Sequence, residues 1–98
     1  MNMQAILKQA QNLQKDMMKE QEKINSTIFE GESSLVKIKI NGKKEVKEIN
    51  IDAESLDKDE IEMLQDMLLV AMNDAMEKVN KETESKMGAY TQGIPGLF

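Results

Sequence analysis

The sequence contains no cysteine, no histidine and no arginine, and these absences narrow what the protein can do. Without cysteine there is no disulfide framework and no thiolate chemistry. Without histidine there is no side chain whose ordinary pKa suits acid–base catalysis near neutral pH. No glycine-rich phosphate loop follows a predicted strand, and no serine lies in the context of a nucleophile elbow. We therefore predict that the protein is not an enzyme and has no cofactor and no small-molecule substrate.

Aromatic residues are also scarce, at 3% of the 98 residues, whereas there are nine methionines. Methionine is a flexible side chain that fills irregular gaps in a core. Hydrophobic residues make up 40% of the chain, which is the composition of a folded protein rather than a disordered one. A chain of this length fits one domain with a thin core, which favours self-association. We predict a single domain over residues 1–98.

Long apolar runs are absent as well. The longest run is the six residues from Met67 to Met72, far too short to span a bilayer. The stretch from Met1 to Ala10 has no apolar run of signal-peptide length. We therefore expect a cytoplasmic protein with no membrane partner. The remaining membrane alternative is a surface helix at the start of the chain, whose apolar side lacks the aromatic residues that such helices use.

The net charge of −5 at pH 7 is distributed unevenly along the chain. Residues 1–49 contain nine lysines and seven acidic residues, whereas residues 50–98 contain four lysines and eleven acidic residues. An acidic total opposes DNA binding through bulk attraction. Any contact with nucleic acid must therefore come from a local arrangement of lysines.

A first helix is predicted from Met3 to about Asn25. Its apolar residues recur at close to the 3.5-residue spacing of a coiled-coil seam. They are Met3, Ile6, Leu7, Ala10, Leu13, Met17 and Ile24. At about 1.5 Å per residue the helix is roughly 35 Å long. This is longer than a three-stranded sheet can cover, so part of the helix should project.

Three strands are predicted after this helix. The first is short, from Thr27 to Glu30, and ends at Gly31. The second runs from Leu35 to Ile40, where apolar residues alternate with lysines, as in a strand with one buried face. The strands favour a small antiparallel sheet.

The pair Asn41-Gly42 is a strong signal for a hairpin turn, because both residues tolerate positive φ. A third strand that contains Val46, Ile49 and Ile51 should follow and return along the second. The spacing slips between Val46 and Ile49, which predicts a β-bulge.

A second long helix is predicted from about Lys58 to Met87. Asp57 has the position of an N-cap, and Glu60 would complete a capping box. The apolar run at 67–72 covers every side of a helix, so one side can pack on the sheet and another needs a partner. We predict a dimer interface formed by Met67, Leu68, Leu69, Val70 and Met72. Gly88 is predicted to end the helix and residues 88–98 to form a flexible tail.

Lysines on the two helices are the candidates for contacts with nucleic acid. On the first helix, four lysines share a sector of roughly 80°, opposite the apolar seam. They are Lys8, Lys15, Lys19 and Lys23. A lysine that neutralises a phosphate releases a condensed counterion, although the same pattern also suits an ordinary solvated face. The lysines near the end of the second helix are Lys78, Lys81 and Lys86. They alternate with glutamates, and surface salt pairing is the alternative interpretation.

Two further clusters have simpler interpretations. Five lysines surround the hairpin, at Lys37, Lys39, Lys43, Lys44 and Lys47. Sheets that bind RNA usually present aromatic residues for stacking, and none is present here, so we interpret these lysines as keeping a sheet edge soluble. Asp52, Asp57 and Asp59 loosely suggest a metal loop, but the EF-hand spacing with its central glycine is absent. We interpret them as turn and capping residues and predict no metal site.

Four blocks of the sequence resemble one family in the same order. Residues 35–52, LVKIKINGKKEVKEINID, are similar to the strand–Asn-Gly–strand block of the YbaB/EbfC family. Residues 64–78, LQDMLLVAMNDAMEK, resemble its second-helix block. Residues 7–17, LKQAQNLQKDM, are similar to its first helix, and residues 93–98, GIPGLF, to its tail. The resemblance to this family of nucleoid-associated DNA-binding proteins covers nearly the whole chain.

The elements predict an α+β fold of order α-β-β-β-α, with a small antiparallel sheet flanked by two long helices. The resemblance implies a homodimer whose paired helices project as arms and bind double-stranded DNA with little sequence specificity. It also implies a nucleoid-associated protein. It favours DNA contacts by Lys8, Lys15, Lys19, Lys78, Lys81 and Lys86. Lysine lacks the fork by which arginine reads guanine, so contacts should be mainly to phosphate.

The alternative function is a protein-binding or chaperone-like helical adaptor that does not bind DNA directly. Long helices beside a hairpin also resemble the layout of prefoldin-like subunits, and methionine-rich surfaces adapt to varied apolar partners.

Overall fold

The computed structural model describes residues 2–91 as two helices and a three-stranded sheet. The elements are α1 (Met3–Ser26), β1 (Ile28–Ser33), β2 (Val36–Asn41), β3 (Val46–Ile51) and α2 (Glu60–Thr91). The strands form one antiparallel sheet in the order β1-β2-β3. The predicted α+β order is confirmed. The molecule measures 71 × 21 × 14 Å, because both helices are longer than the sheet.

Helix α1 begins at an asparagine cap and projects from the sheet. The Asn2 side-chain oxygen accepts a hydrogen bond from the Gln4 N–H at 3.1 Å, which satisfies one of the free donors at the helix start. Every residue from 2 to 16 is exposed, whereas Ile24 near the other end is buried. The prediction that this helix extends beyond the sheet is confirmed.

The core lies where α2 crosses β1 and β2. It contains three alternating residues of β2 and three small or medium residues of α2, all at most 1% exposed. They are Val36, Ile38, Ile40, Ala71, Ala75 and Val79. The alanines allow the helix backbone to approach the sheet closely.

Gly31 is the point of closest approach between β1 and α2. A Cβ atom there would lie 2.0 Å from the Ala71 carbonyl oxygen and 2.5 Å from the Ala75 nitrogen. Strand β1 therefore passes through Gly31, which pairs with Ile38, and continues to Ser33. The prediction that the first strand ends at Gly31 was wrong, because this glycine makes room for a helix and does not terminate the strand.

The loop from β2 to β3 is organised by one side chain. The Asn41 Oδ1 accepts hydrogen bonds from the Lys43 N–H at 2.9 Å and the Glu45 N–H at 3.0 Å. The positive φ falls on Lys44, at 65°, and not on Asn41. The hairpin turn predicted at Asn41-Gly42 is confirmed, and the connection between the two strands spans residues 42–45.

Gly42 has a packing role instead. A Cβ atom there would lie 2.0 Å from the Ile24 carbonyl oxygen, so this glycine lets the end of α1 sit against the hairpin. The predicted bulge in the returning strand is confirmed, since the β2–β3 register shifts between Lys39 and Ile40. Lys47 is left without a cross-strand partner there.

Helix α2 differs from its prediction at both ends. It begins at Glu60, whose N–H donates to the Asp57 carbonyl oxygen at 3.0 Å, so Asp57 contributes its backbone. It continues through Gly88 to Thr91. The predicted end at Gly88 was wrong because α1 packs on this part of α2, where Met87 is buried and Tyr90 half-buried. Of the predicted tail, residues 92–98 lie outside the described residues.

Candidate nucleic-acid interface

The lysine face of α1 points away from the rest of the molecule. At about 100° per residue, Lys8, Lys15 and Lys19 fall opposite Met17, which is half-buried, and Ile24, which is buried. All three lysines are exposed, and none takes part in the ion pairs found within residues 2–91. In this range the three ammonium groups are exposed and in no ion pair, and they are spread along about 16 Å of helix.

The edges of this face carry some opposing charge. Lys23 lies 3.7 Å from Glu20, so its charge is partly balanced within the helix. By the same helical spacing Glu22 and Asp16 border the lysine sector on its two sides, each about 20° beyond the nearest lysine. The strongest positive stretch therefore runs from Lys8 to Lys19.

The lysines of α2 occupy three different environments. The Lys78 ammonium donates to the Glu30 carbonyl oxygen at 2.6 Å and lies 3.5 Å from the Asp74 carboxylate. Lys81 is exposed but lies 3.1 Å from Glu77. Lys86 is exposed and forms none of the ion pairs found in the described part of the chain. Lys78 thus already holds partners within the protein.

The hairpin lysines lie among acidic residues. On the outer face of the sheet, Lys39 stands between Glu30 and Glu48 of the neighbouring strands and lies 3.3 Å from Glu48. Lys37 faces Glu32 in the same way. Opposite charges in cross-strand pairs cancel over short distances. This arrangement favours a solvated sheet face over a nucleic-acid surface.

An open apolar face lies on the other side of β3. Ile49 pairs with Ile38, so the two side chains share the inner face, yet Ile49 is 51% exposed and Ile38 only 1%. Val46 and Ile51 are exposed in the same way. Helix α2 covers β1 and β2 but makes no contact with β3. The inner face of the sheet is therefore left uncovered along one strand.

The predicted dimer residues of α2 divide into two groups. Met67, Leu68 and Met72 are half-buried and pack against the core of their own chain. Leu69 is 63% exposed and Val70 55%. The sheet thus covers the apolar run on one side only, which agrees with the packing predicted for a single chain.

Asp74 is a structural residue that the sequence analysis did not identify. Its carboxylate accepts a hydrogen bond from the Glu32 N–H at 3.1 Å, at the free edge of β1. The available signal was the four-residue spacing of Asp74 and Lys78, which is typical of helix ion pairs. That spacing does not reveal the strand edge, which lies 42 residues away along the chain.

Among residues 2–91, neither helix is long and apolar enough to cross a membrane. In the same range, no three metal-ligating side chains are grouped so that they could hold a metal ion.

The fold and the lysine face define a class of small α+β protein that presents a basic helix on a projecting arm. The model of the YbaB/EbfC DNA-binding family matches residues 1–94. The chain belongs to this family.

Curated relatives match the chain over almost its whole length. A nucleoid-associated protein of Ligilactobacillus salivarius is 46% identical, over 99% of this chain and 95% of the relative. One from Enterococcus faecalis is 42% identical, over 98% and 94%. One from Chloroflexus aurantiacus is 43% identical, over the full length of both chains.

The crystal structure of an uncharacterised protein from Helicobacter pylori has the same fold. Its TM-score is 0.76, and the match covers 92% of this chain and 97% of that one. The sequence identity is 23%, so this likeness bears on the fold alone.

Proposed function

We propose that the protein is a cytoplasmic, nucleoid-associated protein that binds double-stranded DNA as a homodimer, with little sequence specificity, through lysines on its helical arms. The observation that carries the proposal is the exposed, unpaired set of Lys8, Lys15 and Lys19 on the projecting part of α1. The family description and the names of the curated relatives support DNA as the partner and the nucleoid as the location.

Phosphate contacts explain the low specificity in this proposal. A lysine ammonium is a point charge that neutralises a phosphate whatever the base sequence. Two arms with three lysines each give about six phosphate contacts, and the logarithm of the affinity should fall with the logarithm of salt concentration with a slope of about −5. Lys81 and Lys86 of α2 are included as secondary contacts. Lys78 is not included among these contacts, because its ammonium already binds Glu30 and Asp74.

The homodimer in this proposal forms on the β3 side of the molecule. Asp74 and Lys78 occupy the flank of α2 that faces β1. By helical spacing, Leu68, Leu69 and Met72 lie on the opposite flank, towards β3.

In this proposal the patch buried in the dimer combines that flank with the open face of Val46, Ile49 and Ile51. A second copy related by a two-fold axis would cover it, because the same patch then serves both subunits. Met67 and Val70 of the predicted interface lie on the other flank, towards β1.

The direct test compares two triple variants that change the charge equally. Lys8, Lys15 and Lys19 are replaced by glutamine in one variant, and Lys37, Lys43 and Lys47 in the other. Binding to random-sequence duplexes is measured by fluorescence anisotropy between low and near-physiological salt. At about 0.1 M salt the α1 variant should lose at least tenfold in affinity and most of its salt dependence. The hairpin variant should change far less.

Light scattering should show that both variants remain dimers. Equal losses in the two variants would mean that DNA senses only the net charge. Unchanged binding by the α1 variant would refute the assignment of these three lysines. A monomer in the unsubstituted protein would refute the dimer.

A further inference from the structure

Between Lys8 and Lys23, one member of the lysine sector of α1 is not a lysine. At about 100° per residue, Asn12 falls between Lys19 and Lys23 around the helix. Along the helix axis it lies about 6 Å from Lys8 and about 4.5 Å from Lys15. The Asn12 side chain is exposed. A short amide therefore lies among the long cationic side chains of the arm.

Asparagine is an unfavourable residue in the middle of a helix. It is favoured at caps and turns, because its side chain competes with the helix for backbone hydrogen bonds. The two asparagines at the ends of α1 fit this pattern, since Asn2 caps the first turn and Asn25 accepts from the Gln21 side-chain amide at 2.9 Å. None of the hydrogen bonds found within residues 2–91 involves the Asn12 side chain. Asn12 therefore weakens the helix without a hydrogen bond that compensates.

An asparagine amide on an exposed helix matches the edge of one DNA base. In the major groove adenine presents an N7 acceptor and an N6 amino donor, and one asparagine can bind both. Its Nδ2 then donates to N7, and its Oδ1 accepts from N6. A helix about 10–12 Å across fits a groove about 12 Å wide. Lysines have long flexible stems that reach phosphates at the edges of the groove, whereas a short amide between them reaches the bases below the helix.

The residues around Asn12 favour a base over the DNA backbone as its partner. Asp16, one turn further on, is exposed and carries a negative charge that repels phosphates from this side of the sector. The glutamines nearby differ from Asn12, because Gln4 and Gln11 lie about 20° and about 40° beyond Lys15, outside the sector. Glutamine is also a good helix former, so its presence in the helix requires no contact with DNA.

We propose that Asn12 reads adenine in the major groove when the arm of α1 binds DNA. This inference rests on the proposed function, because the lysines must hold the arm on the duplex. The lysines supply the affinity, and Asn12 adds a modest preference for duplexes that present adenine to the arm. In a homodimer each of the two arms reads one position.

The test compares a duplex of mixed sequence with the same duplex in which 7-deazaadenine replaces adenine. The replacement removes the N7 acceptor and keeps both the base pairing and the charge of the DNA. Binding of the full chain is measured by fluorescence anisotropy at about 0.1 M salt, where phosphate contacts still act. The unsubstituted protein should bind the modified duplex more weakly, by about threefold or more.

Two variants separate the Asn12 amide from other amides of the arm. Asn12→Ala should bind the two duplexes equally, with the affinity that the unsubstituted protein has for the modified one. The matched control is Gln14→Ala, which removes an exposed amide about 140° from the middle of the sector and should keep the preference. Neither change alters the charge, so both variants should keep the salt dependence of binding. Alanine is the better helix former, so circular dichroism should show no loss of helix in Asn12→Ala.

The same measurements distinguish failure of this inference from failure of the proposed function. Equal binding of the two duplexes by the unsubstituted protein, with the salt dependence intact, would overturn the reading of adenine and leave the phosphate contacts in place. A preference that survives Asn12→Ala would show that another residue contacts adenine. A preference lost equally in Gln14→Ala would show that the effect does not depend on the sector. The absence of salt-dependent binding to either duplex would refute the proposed function, and this inference with it.

Discussion

Asp74 and Lys78, one turn apart on α2, together close the free edge of β1. The Asp74 carboxylate accepts from the Glu32 N–H at 3.1 Å, and the Lys78 ammonium donates to the Glu30 carbonyl oxygen at 2.6 Å. Unpaired strand edges recruit other chains, and charged side chains are one way to block them. Within residues 2–91, α2 makes no contact with β3, so it does not block the edge of the sheet on that side. The sheet is therefore closed at one edge and open at the other.

Replacing Asp74 by alanine should weaken this closure. We expect the free energy of unfolding to fall by about 1 kcal/mol, because the carboxylate is about one-third exposed and its ion pair is screened by solvent. We also expect new self-association through β1. Urea unfolding and size-exclusion chromatography over a range of concentrations measure the two effects.

The matched control is Glu77→Ala, which breaks the more exposed pair with Lys81. That change should stay within about 0.5 kcal/mol and should leave the assembly unchanged. If the two variants lost the same stability and neither associated further, the edge-closing role of Asp74 would be rejected.

Gly31→Ala should be far more damaging than its small size suggests. The added methyl group would lie 2.0 Å from the Ala71 carbonyl oxygen, so backbone rather than a flexible side chain must move. We expect a loss of about 3 kcal/mol in the free energy of unfolding, measured in urea.

Gly88→Ala is the matched control, because it adds the same methyl group in open space within a helix. It should be neutral or stabilising by up to about 1 kcal/mol. A Gly31→Ala protein as stable as the Gly88→Ala protein would contradict the close approach of α2 to β1.

Local pattern was enough to predict the order of the elements and the lysine face of α1. The seam spacing fixes which side of α1 turns inwards, so Lys8, Lys15 and Lys19 had to lie outside. The errors concern contacts between distant parts of the chain. In the sequence Gly31 is typical of a strand end, and only the packing of α2 on β1 explains why a glycine is needed there. In the same way Gly88 is typical of a helix end, and only the contact between α1 and α2 explains why the helix continues past Met87.

The candidate site also combines features that follow from local pattern with features that depend on contacts between distant residues. The exposure of the α1 lysines follows from periodicity within one helix. The hydrogen bond of Lys78 cannot be predicted in this way, because its acceptor is the backbone carbonyl of Glu30, 48 residues away along the chain. The uncovered inner face of β3 also depends on where α2 crosses the sheet. Alternation along β3 predicts an apolar face but not whether the same chain covers it.

Lys44→Gly should stabilise the protein. Lys44 has φ of 65°, a left-handed conformation that costs a side-chain-bearing residue about 1 kcal/mol and costs glycine much less. The greater entropy of glycine in the unfolded chain offsets part of this gain, so we expect a net gain of about 0.5 kcal/mol. Calorimetry should show a small rise in Tm.

Lys43→Gly removes the same charge from the neighbouring position, where φ is not positive. It should lower stability by about 0.5 kcal/mol, since glycine there relieves no strain. Changes of the same sign in the two variants would argue against strain at Lys44.

The hairpin loop should also respond to acid through Glu45. The Asn41 side-chain amide donates to the Glu45 carboxylate at 2.8 Å, and this bond, followed by the charge of Lys47, lowers the pKa of Glu45 below its ordinary value of 4.5. A carboxyl group with a lowered pKa stabilises the folded state above its unfolded pKa. That contribution is lost as the pH falls below 4.5 and through the folded pKa. The advantage of the unsubstituted protein over Glu45→Gln should therefore be present at pH 6 and disappear in strong acid.

Carboxyl-carbon NMR should follow the same titration directly and give a pKa for Glu45 below 4.5. Lys47→Gln should raise this pKa slightly, because it removes only the second of the causes. Asn41→Ser should raise it more, since the amide hydrogen bond is the largest cause. If Lys47→Gln had the larger effect, charge rather than the Asn41 bond would hold the loop. A pKa of 4.5 or higher in the unsubstituted protein would mean that the bond does not form in solution.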